Sequence, residues 1–306
     1  MNPFLKKLGF SAGDRVAIVH ADDIGAYQAS LPAIEELFAA GLVSSCAAMV
    51  PCPWFPAVAA WARRTPEADI GVHATLTAEY PVYRWGPIST RDPTSGLLDE
   101  EGYLHRTTRA VWAVANPQAA TVELRAQLDR ALAAGIDVTH IDSHMGASFS
   151  LAFLPGYVAS GAAGRVPNFV LRLGADATRG LAVFEEPTEQ RIRFQEELEE
   201  QGLPLVDFSN FMPLNRHGGR VAEAKALFDS LPAGLSYVIL HPAIDTPELR
   251  AVTPEDWRAR VADYEAFTSA ELRAHVRDTG VQVIGWRAVR DAMRREGETW
   301  AAVALR

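Results

Sequence analysis

Cysteine is scarce in this chain. Only Cys46 and Cys52 occur among 306 residues, and they are not spaced as a CxxC metal-binding pair. Two thiols are too few for a disulfide framework at this length, so we expect both in the core. Long apolar runs are missing too: no segment approaches the roughly 18 apolar residues of a membrane span, and residues 1–10 contain no apolar stretch of signal-peptide length. A cytoplasmic location is therefore expected.

Positive charge is also in short supply. The chain carries 29 Lys and Arg residues against 38 Asp and Glu residues, a formal net charge of -9. This balance works against tight nonspecific binding to nucleic acid, and no membrane partner is expected. The length and a hydrophobic fraction of 48% suit one large domain or two small ones. Because no linker or repeat divides the chain, we predict a single domain over residues 1–306. A homodimer of this domain is possible.

Short apolar runs alternate with longer stretches of helical periodicity, a pattern that is typical of repeated β/α units around a parallel sheet. Eight such runs predict a closed, TIM-like (β/α) barrel, which we expect to be irregular. Residues 77–116 form a long stretch that exceeds the usual βα loop and predicts an insertion after the third strand. The eight runs cover residues 15–20, 42–50, 69–73, 137–142, 168–173, 203–207, 236–240 and 281–284.

The first run leads directly into two adjacent carboxylates, Asp22 and Asp23, which precede Gly25. A carboxylate at a buried strand end is destabilising unless it is paired, hydrogen-bonded or bound to a cation, and a second carboxylate beside it adds repulsion. A divalent metal would remove that conflict. The alternative is structural, because either aspartate could cap the next helix or hold the turn at Gly25.

Histidines lie at or just beyond the ends of three other predicted strands: His73, His144 and His241. The carboxyl ends of the strands of a barrel converge on one rim, so these side chains could meet the two aspartates there. Alternate residues of a strand share a face, which groups His140 and Asp142 with His144. This spacing permits metal ligation without selecting the ligand. Mixed oxygen and imidazole donors suit zinc, manganese, iron, nickel or cobalt, and also magnesium where protein ligands are few.

Together these motifs resemble the YdjC-like carbohydrate deacetylase family, which includes chitooligosaccharide deacetylases of the ChbG type and is related to polysaccharide deacetylases. The resemblance spans most of the chain, and the order and spacing of its motifs are more specific than any one of them. The motifs are ADDIG at 21–25, GVHATLT at 71–77, THIDSH at 139–144 and HP at 241–242, with YRWG at 83–86, LLDEEGY at 97–103 and VQVIGW at 281–286.

This resemblance implies a metal-dependent hydrolase on a (β/α) barrel. Its expected reaction removes the acetyl group from an N-acetylated sugar or oligosaccharide, by amide hydrolysis with metal-activated water, and its expected cofactor is one divalent ion, magnesium or zinc. Carried over to this sequence, the resemblance implies that Asp23, His73 and His144 hold the metal. It implies further that Asp22 is the general base and that His241 is the general acid.

Three residues are candidates for substrate binding. Arg172 follows a predicted strand and could orient Asp22 or bind a substrate oxygen, although a salt bridge within the barrel is an equal alternative. Tyr83 and Trp85 lie in the long stretch after the third strand and could stack on a sugar ring. The alternative for these aromatic residues is a small core of their own loop.

The residues behind the expected ligands are His140 and Asp142, which could orient a ligating histidine through its second ring nitrogen. The choice between His144 and His140 as the third ligand stays open at this point. Fold and metal do not fix the substrate. A metal-dependent hydrolase of another amide or of an ester therefore remains an alternative, as does a barrel that binds carbohydrate without turnover.

Overall fold

The computed structural model describes residues 2–172 and 188–295, which contain a single parallel sheet with helices in its connections. Six of the eight predicted strands coincide with part of an observed strand. The strands are β1 Arg15–Ile24, β2 Ser45–Ala48, β3 Ile70–Ala74, β4 Ile141–Ser143, β5 Phe208–Phe211, β6 Gly234–Leu240 and β7 Gln282–Val283.

The strands follow one another in the order β4-β3-β2-β1-β6-β5, with β7 paired to the start of β1. All pairings are parallel, and the longest joins β1 to β6 from Arg15 opposite Gly234 to Ala21 opposite Leu240. The predicted α/β class with a parallel sheet is confirmed. These seven strands form a partial barrel rather than the predicted closed ring of eight.

Two predicted strands differ from the structure. Residues 168–172 are joined to their neighbours only by single bridges, Ile141 with Asn168 and Leu171 with Val206, and position 173 lies outside the described residues. The predicted strand 203–207 is wrong in position, because the ladder with β6 forms over β5 instead. Most of β5 is solvent-exposed, so its pairing depends on backbone hydrogen bonds and leaves little apolar pattern in the sequence.

Helices fill the connections between the strands. Among the described residues, none of these helices is both long and apolar enough to cross a membrane. They are α1 Pro3–Lys7, α2 Ser30–Ala40, α3 Phe55–Arg64, α4 Thr108–Val114, α5 Pro117–Ala133, α6 Leu154–Gly164, α7 Thr188–Glu200, α8 Arg220–Ser230, α9 Pro247–Val252, α10 Trp257–Thr268, α11 Ala270–Thr279 and α12 Trp286–Arg295.

The long connection between β3 and α5 is anchored by two fully buried polar side chains of α5. Gln127 bonds both backbone groups of Thr75, and the carboxylate of Glu123 accepts the backbone N–H groups of Ile88 and Ser89. These bonds satisfy backbone groups that no sheet partner reaches. They fix the start of the connection just after β3, at the edge where the carboxyl ends of the parallel strands bring several polar side chains together.

Candidate metal centre

The end of β1 carries Asp22 and Asp23 toward the same side of the sheet. Neighbouring residues of a regular strand point to opposite faces, but the β1–β2 register shifts between Ala21 and Ile24, where β1 has one residue more than β2. Asp23 absorbs this irregularity with a φ of 63°, a left-handed conformation that is uncommon for a residue with a side chain. The irregularity lets two adjacent carboxylates serve one site.

Three donor atoms from three different segments lie together at this end of the sheet. Asp23 Oδ1 is 3.4 Å from His73 Nε2 and 3.2 Å from His144 Nδ1, and the two nitrogens are 3.3 Å apart. All three side chains are buried. Although two nitrogens are close, Asp23 Oδ1 has no hydrogen-bond partner of acceptable geometry among the described residues. A buried, unpartnered carboxylate oxygen between two imidazoles fits the donor set of a cation.

In each of these three side chains, the polar atom that faces away from the other two residues contacts a further residue. His73 Nδ1 lies 2.7 Å from Asp142 Oδ1, and His144 Nε2 lies 3.0 Å from Glu79 Oε2. Arg260 Nη1 donates to Asp23 Oδ2 at 2.7 Å. These partners occupy the outer atoms, and the inner atoms are directed toward one another. Carboxylate partners of this kind orient metal-binding histidines in proteins.

The charges around the cluster set its proton affinities. Burial alone would raise the pKa of Asp23, but Arg260 and the two neighbouring histidines hold it well below its ordinary value. Burial opposes protonation of His73, yet Asp142 and Asp22 raise its pKa well above that of free histidine. Burial likewise opposes protonation of His144, whose pKa the carboxylates of Glu79 and Asp23 raise to about 9. Without a cation, this cluster therefore keeps protons that a metal would displace.

Asp22 lies beside the donor triad, between two other histidines. Its Oδ1 is 3.0 Å from His20 Nε2, while its Oδ2 is 3.8 Å from His241 Nε2 and 3.9 Å from His73 Nε2. His20 is completely buried, and its Nε2 is also 2.9 Å from Asp142 Oδ2. Burial lowers the pKa of His241. The Oδ1 atom of Asp22 thus faces the buried His20, and its Oδ2 atom faces His241.

His140 lies away from the donor triad. Its fully buried ring stacks on Trp286 at 5.2 Å and meets the edge of His20 at 5.0 Å. The ring also covers Gly71, where an added Cβ would come within 2.3 Å of it. His20, His140 and Asp142 form a second close group of donor atoms. The structure therefore brings His144, rather than His140, together with the other two predicted ligands.

The expected positioning role of Arg172 does not match its contacts. Its guanidinium pairs with Glu199 at 2.8 Å and lies 3.6 Å from Asp207, which is the salt-bridged alternative. Arg260, on α10, contacts the donor triad through Asp23.

The two aromatic candidates, Tyr83 and Trp85, pack within their own loop, which is the structural alternative to stacking on a sugar ring. Trp85 is only 4% exposed and donates its indole N–H to Thr77, so it offers little surface to a sugar ring. The hydroxyl of Tyr83 donates to the backbone oxygen of Ala26. With Tyr80, the two rings form a small aromatic core whose ring centres are 6.0 to 6.5 Å apart.

Three residues of the site were not among the sequence candidates: His20, Glu79 and Arg260. His20 carried a usable signal, because it precedes Asp22 by two residues in the same strand and so shares its face. Glu79 lies in an irregular connection and Arg260 on a helix 237 residues after Asp23. Neither position shows a periodic pattern that would place it at the end of β1.

Comparison with known proteins identifies the family. A model of the YdjC-like protein family matches residues 16–278. The chain belongs to the YdjC-like family. The resemblance expected from the sequence motifs is therefore confirmed, and the matched range includes every residue of the donor triad as well as His20, Asp22 and His241.

Relatives of this YdjC-like chain have a common description. It is 33% identical over 301 residues to a carbohydrate deacetylase of Thermus thermophilus, covering 94% of this chain and 98% of that protein. It is 22% identical over 265 residues to a carbohydrate deacetylase of Thermoanaerobacter pseudethanolicus, covering 86% and 95%. A crystal structure from Enterococcus faecalis, described as a cellobiose-phosphate cleavage protein, matches with a TM-score of 0.74 at 22% identity, covering 90% of this chain and 99% of that one. The structural likeness concerns the fold.

Proposed function

We propose that this protein is a metal-dependent carbohydrate deacetylase that hydrolyses the amide of an N-acetylated sugar. One observation carries the proposal: the inner atoms of Asp23, His73 and His144 lie 3.2 to 3.4 Å apart while their outer atoms are held by other residues. The description of the relatives as carbohydrate deacetylases supports the substrate class.

In this proposal Asp23, His73 and His144 hold one divalent ion. Such an ion supplies a Lewis acid that polarises the substrate carbonyl and makes water more acidic. The two imidazoles among the three donors favour zinc or another transition metal over magnesium.

Asp22 is the proposed general base. Its Oδ1 lies 3.0 Å from His20 Nε2 in the interior, so its Oδ2, on the side of His241, is the oxygen available to take a proton from the attacking water. Asp23 cannot share this task because Arg260 and the two neighbouring histidines stabilise its charged form.

His241 is the proposed general acid, which protonates the departing nitrogen. Its backbone N–H donates to Asp263 and fixes the chain just after β6. The pKa of its imidazole is lowered by burial, so the protonated ring gives up its proton more readily than free histidine does. Base and acid lie 3.8 Å apart at Oδ2 and Nε2, and the reacting amide would bind beside both.

The test is release of acetate from N-acetylated oligosaccharides. We expect release with added zinc, loss with a chelator, and recovery when metal is restored. Asp22→Asn should abolish turnover with metal still bound, whereas His73→Ala should lose the metal. Asp229→Asn is the matched control, because this aspartate bonds His275 at the surface. No acetate from the wild type with any added divalent metal would contradict the proposal, and equal metal loss in the Asp22 and His73 variants would contradict the division of roles.

A further inference from the structure

A cavity of about 510 Å³ adjoins the proposed base and acid. Asp22, His73 and His241 form part of its lining, so a substrate amide that reaches these groups lies in the same space. The volume is within the range of small-molecule sites, about 300 to 1,000 Å³. What fills the rest of the cavity is therefore a question about the substrate.

Much of the remaining lining is hydrocarbon. Phe169 is nearly buried, and its ring stacks on Tyr237 at 4.5 Å and meets Phe149 edge-on at 5.9 Å. These contacts hold the apolar surface in place before any ligand binds. The apolar residues that line the cavity include Phe149, Leu154, Phe169, Leu171, Phe211 and Ile239.

The cavity extends inward along β6. Tyr237, Ile239 and His241 are alternate residues that all line it, and Tyr237 is only 1% exposed. His241 is at the end of the strand, so Tyr237 is the deeper of the two. A sugar chain that continues in both directions has to remain at the rim. A terminal substituent can enter this interior space, and the acyl group on nitrogen is such a substituent.

An acetyl group is too small for this surface. Its methyl group is similar in size to a water molecule, which occupies about 30 Å³ of the liquid. A sugar ring is poorly suited to the apolar part of the lining as well. Each hydroxyl that loses water needs a new partner, and the side chains of Phe149, Leu154 and Leu171 have no polar atom to supply one. The polar part of the lining includes Ser143, Arg191, Gln195 and Ser209. A hydrocarbon chain meets neither difficulty.

We propose that the enzyme hydrolyses sugars whose N-acyl group is several carbons longer than acetyl more efficiently than it hydrolyses N-acetylated sugars, with the acyl chain against the apolar lining of the cavity. This inference rests on the proposed deacylation. In the reaction, water adds its oxygen to the acyl carbon, the carbon–nitrogen bond breaks, and the nitrogen takes a proton. The products are a carboxylate and a free amino sugar.

The experiment compares N-acetyl-, N-butyryl- and N-hexanoylglucosamine with the zinc-loaded wild type, measuring release of glucosamine, which is the same product in each case. A fully buried methylene corresponds to a gain of about fourfold in kcat/KM. Butyryl has two methylenes more than acetyl, so we expect kcat/KM to rise by up to about 16-fold from acetyl to butyryl and to rise again to hexanoyl. The hexyl glycoside of N-acetylglucosamine, whose cleavage is followed as released acetate, should show no comparable gain, because its chain is attached on the sugar side.

Phe211→Ala and Phe208→Ala form a matched pair on β5. Phe211 lines the cavity and is 66% exposed, whereas Phe208 does not line it and is 38% exposed. We expect Phe211→Ala to lower kcat/KM for the hexanoyl sugar more than for the acetyl sugar, and Phe208→Ala to alter neither.

Each other outcome has a definite meaning. If acetyl is cleaved and kcat/KM falls with every added methylene, the acyl assignment is wrong and the proposed deacetylation stands. If the hexyl glycoside gains as much as the hexanoyl amide, the cavity takes the sugar-side substituent and the acyl assignment is again wrong. If none of the three N-acylglucosamines releases glucosamine, both proposals are contradicted.

Discussion

Replacing Asp142 by asparagine should weaken metal binding while leaving the fold intact. Asp142 Oδ1 lies 2.7 Å from His73 Nδ1, and Oδ2 lies 2.9 Å from His20 Nε2 and accepts the hydroxyl of Tyr237 at 3.1 Å. Asparagine keeps the size of the side chain and one acceptor oxygen but loses the charge that makes His73 a stronger donor. Losing such a partner typically weakens metal affinity 10- to 100-fold, which is about 1.4 to 2.8 kcal/mol.

The assay is competition for zinc between the protein and a coloured chelator at fixed pH and salt. Asp137→Asn provides the control, because Asp137 pairs with Arg287 and Arg290 at the protein surface. We expect its zinc affinity to stay within about twofold of the wild type, since exposed ion pairs contribute little. Circular dichroism checks that both variants fold. A folded Asp142→Asn protein that binds zinc as tightly as the wild type would refute the proposed function of this carboxylate.

Three other predictions concern protons, packing and the base. The pKa values of His73 and His144 are raised, the latter to about 9, so zinc binding at pH 7 should release about two protons. Calorimetry in buffers of different ionisation enthalpy measures this number, and a release of fewer than one proton would contradict the prediction. Gly71→Ala should lower stability to urea by about 1 to 3 kcal/mol through overlap with a buried ring, whereas Gly218→Ala, with no atom within 4 Å of its added Cβ, should not. His20→Met should lower kcat about 10- to 100-fold at unchanged KM and metal content. His20→Gln retains an N–H donor and should recover most of the lost kcat. Equal activities of the two variants would count against a bond from His20 that orients Asp22.

The sequence predicts the strands where packing creates an apolar pattern. β1, β3 and β6 are almost entirely buried, and each coincides with a predicted run. β5 is mostly exposed and has no such pattern, although its backbone pairs with β6 over four residues. The run before it is apolar, yet only Val206 forms a bridge. Burial and strand pairing are thus separate properties, and hydrophobicity indicates only the first.

Much of the site can also be predicted from the residues at the ends of the strands. Asp22, Asp23, His73 and His241 lie at the carboxyl ends of parallel strands, where one rim gathers them. The sequence could not choose between His140 and His144, because both follow the alternation of one strand. The choice depends on the turn after β4, where Met145 adopts a left-handed φ of 52°. Such backbone geometry is set by tertiary packing and leaves no regular spacing in the sequence.

Anomalous diffraction at the zinc edge, from crystals grown with zinc, tests the metal site most directly. We expect one strong peak bonded to Asp23 Oδ1, His73 Nε2 and His144 Nδ1, with the outer atoms still held by Arg260, Asp142 and Glu79. A peak bound by His20 and His140 instead, or no peak within bonding distance of Asp23 at saturating zinc, would contradict the proposed site.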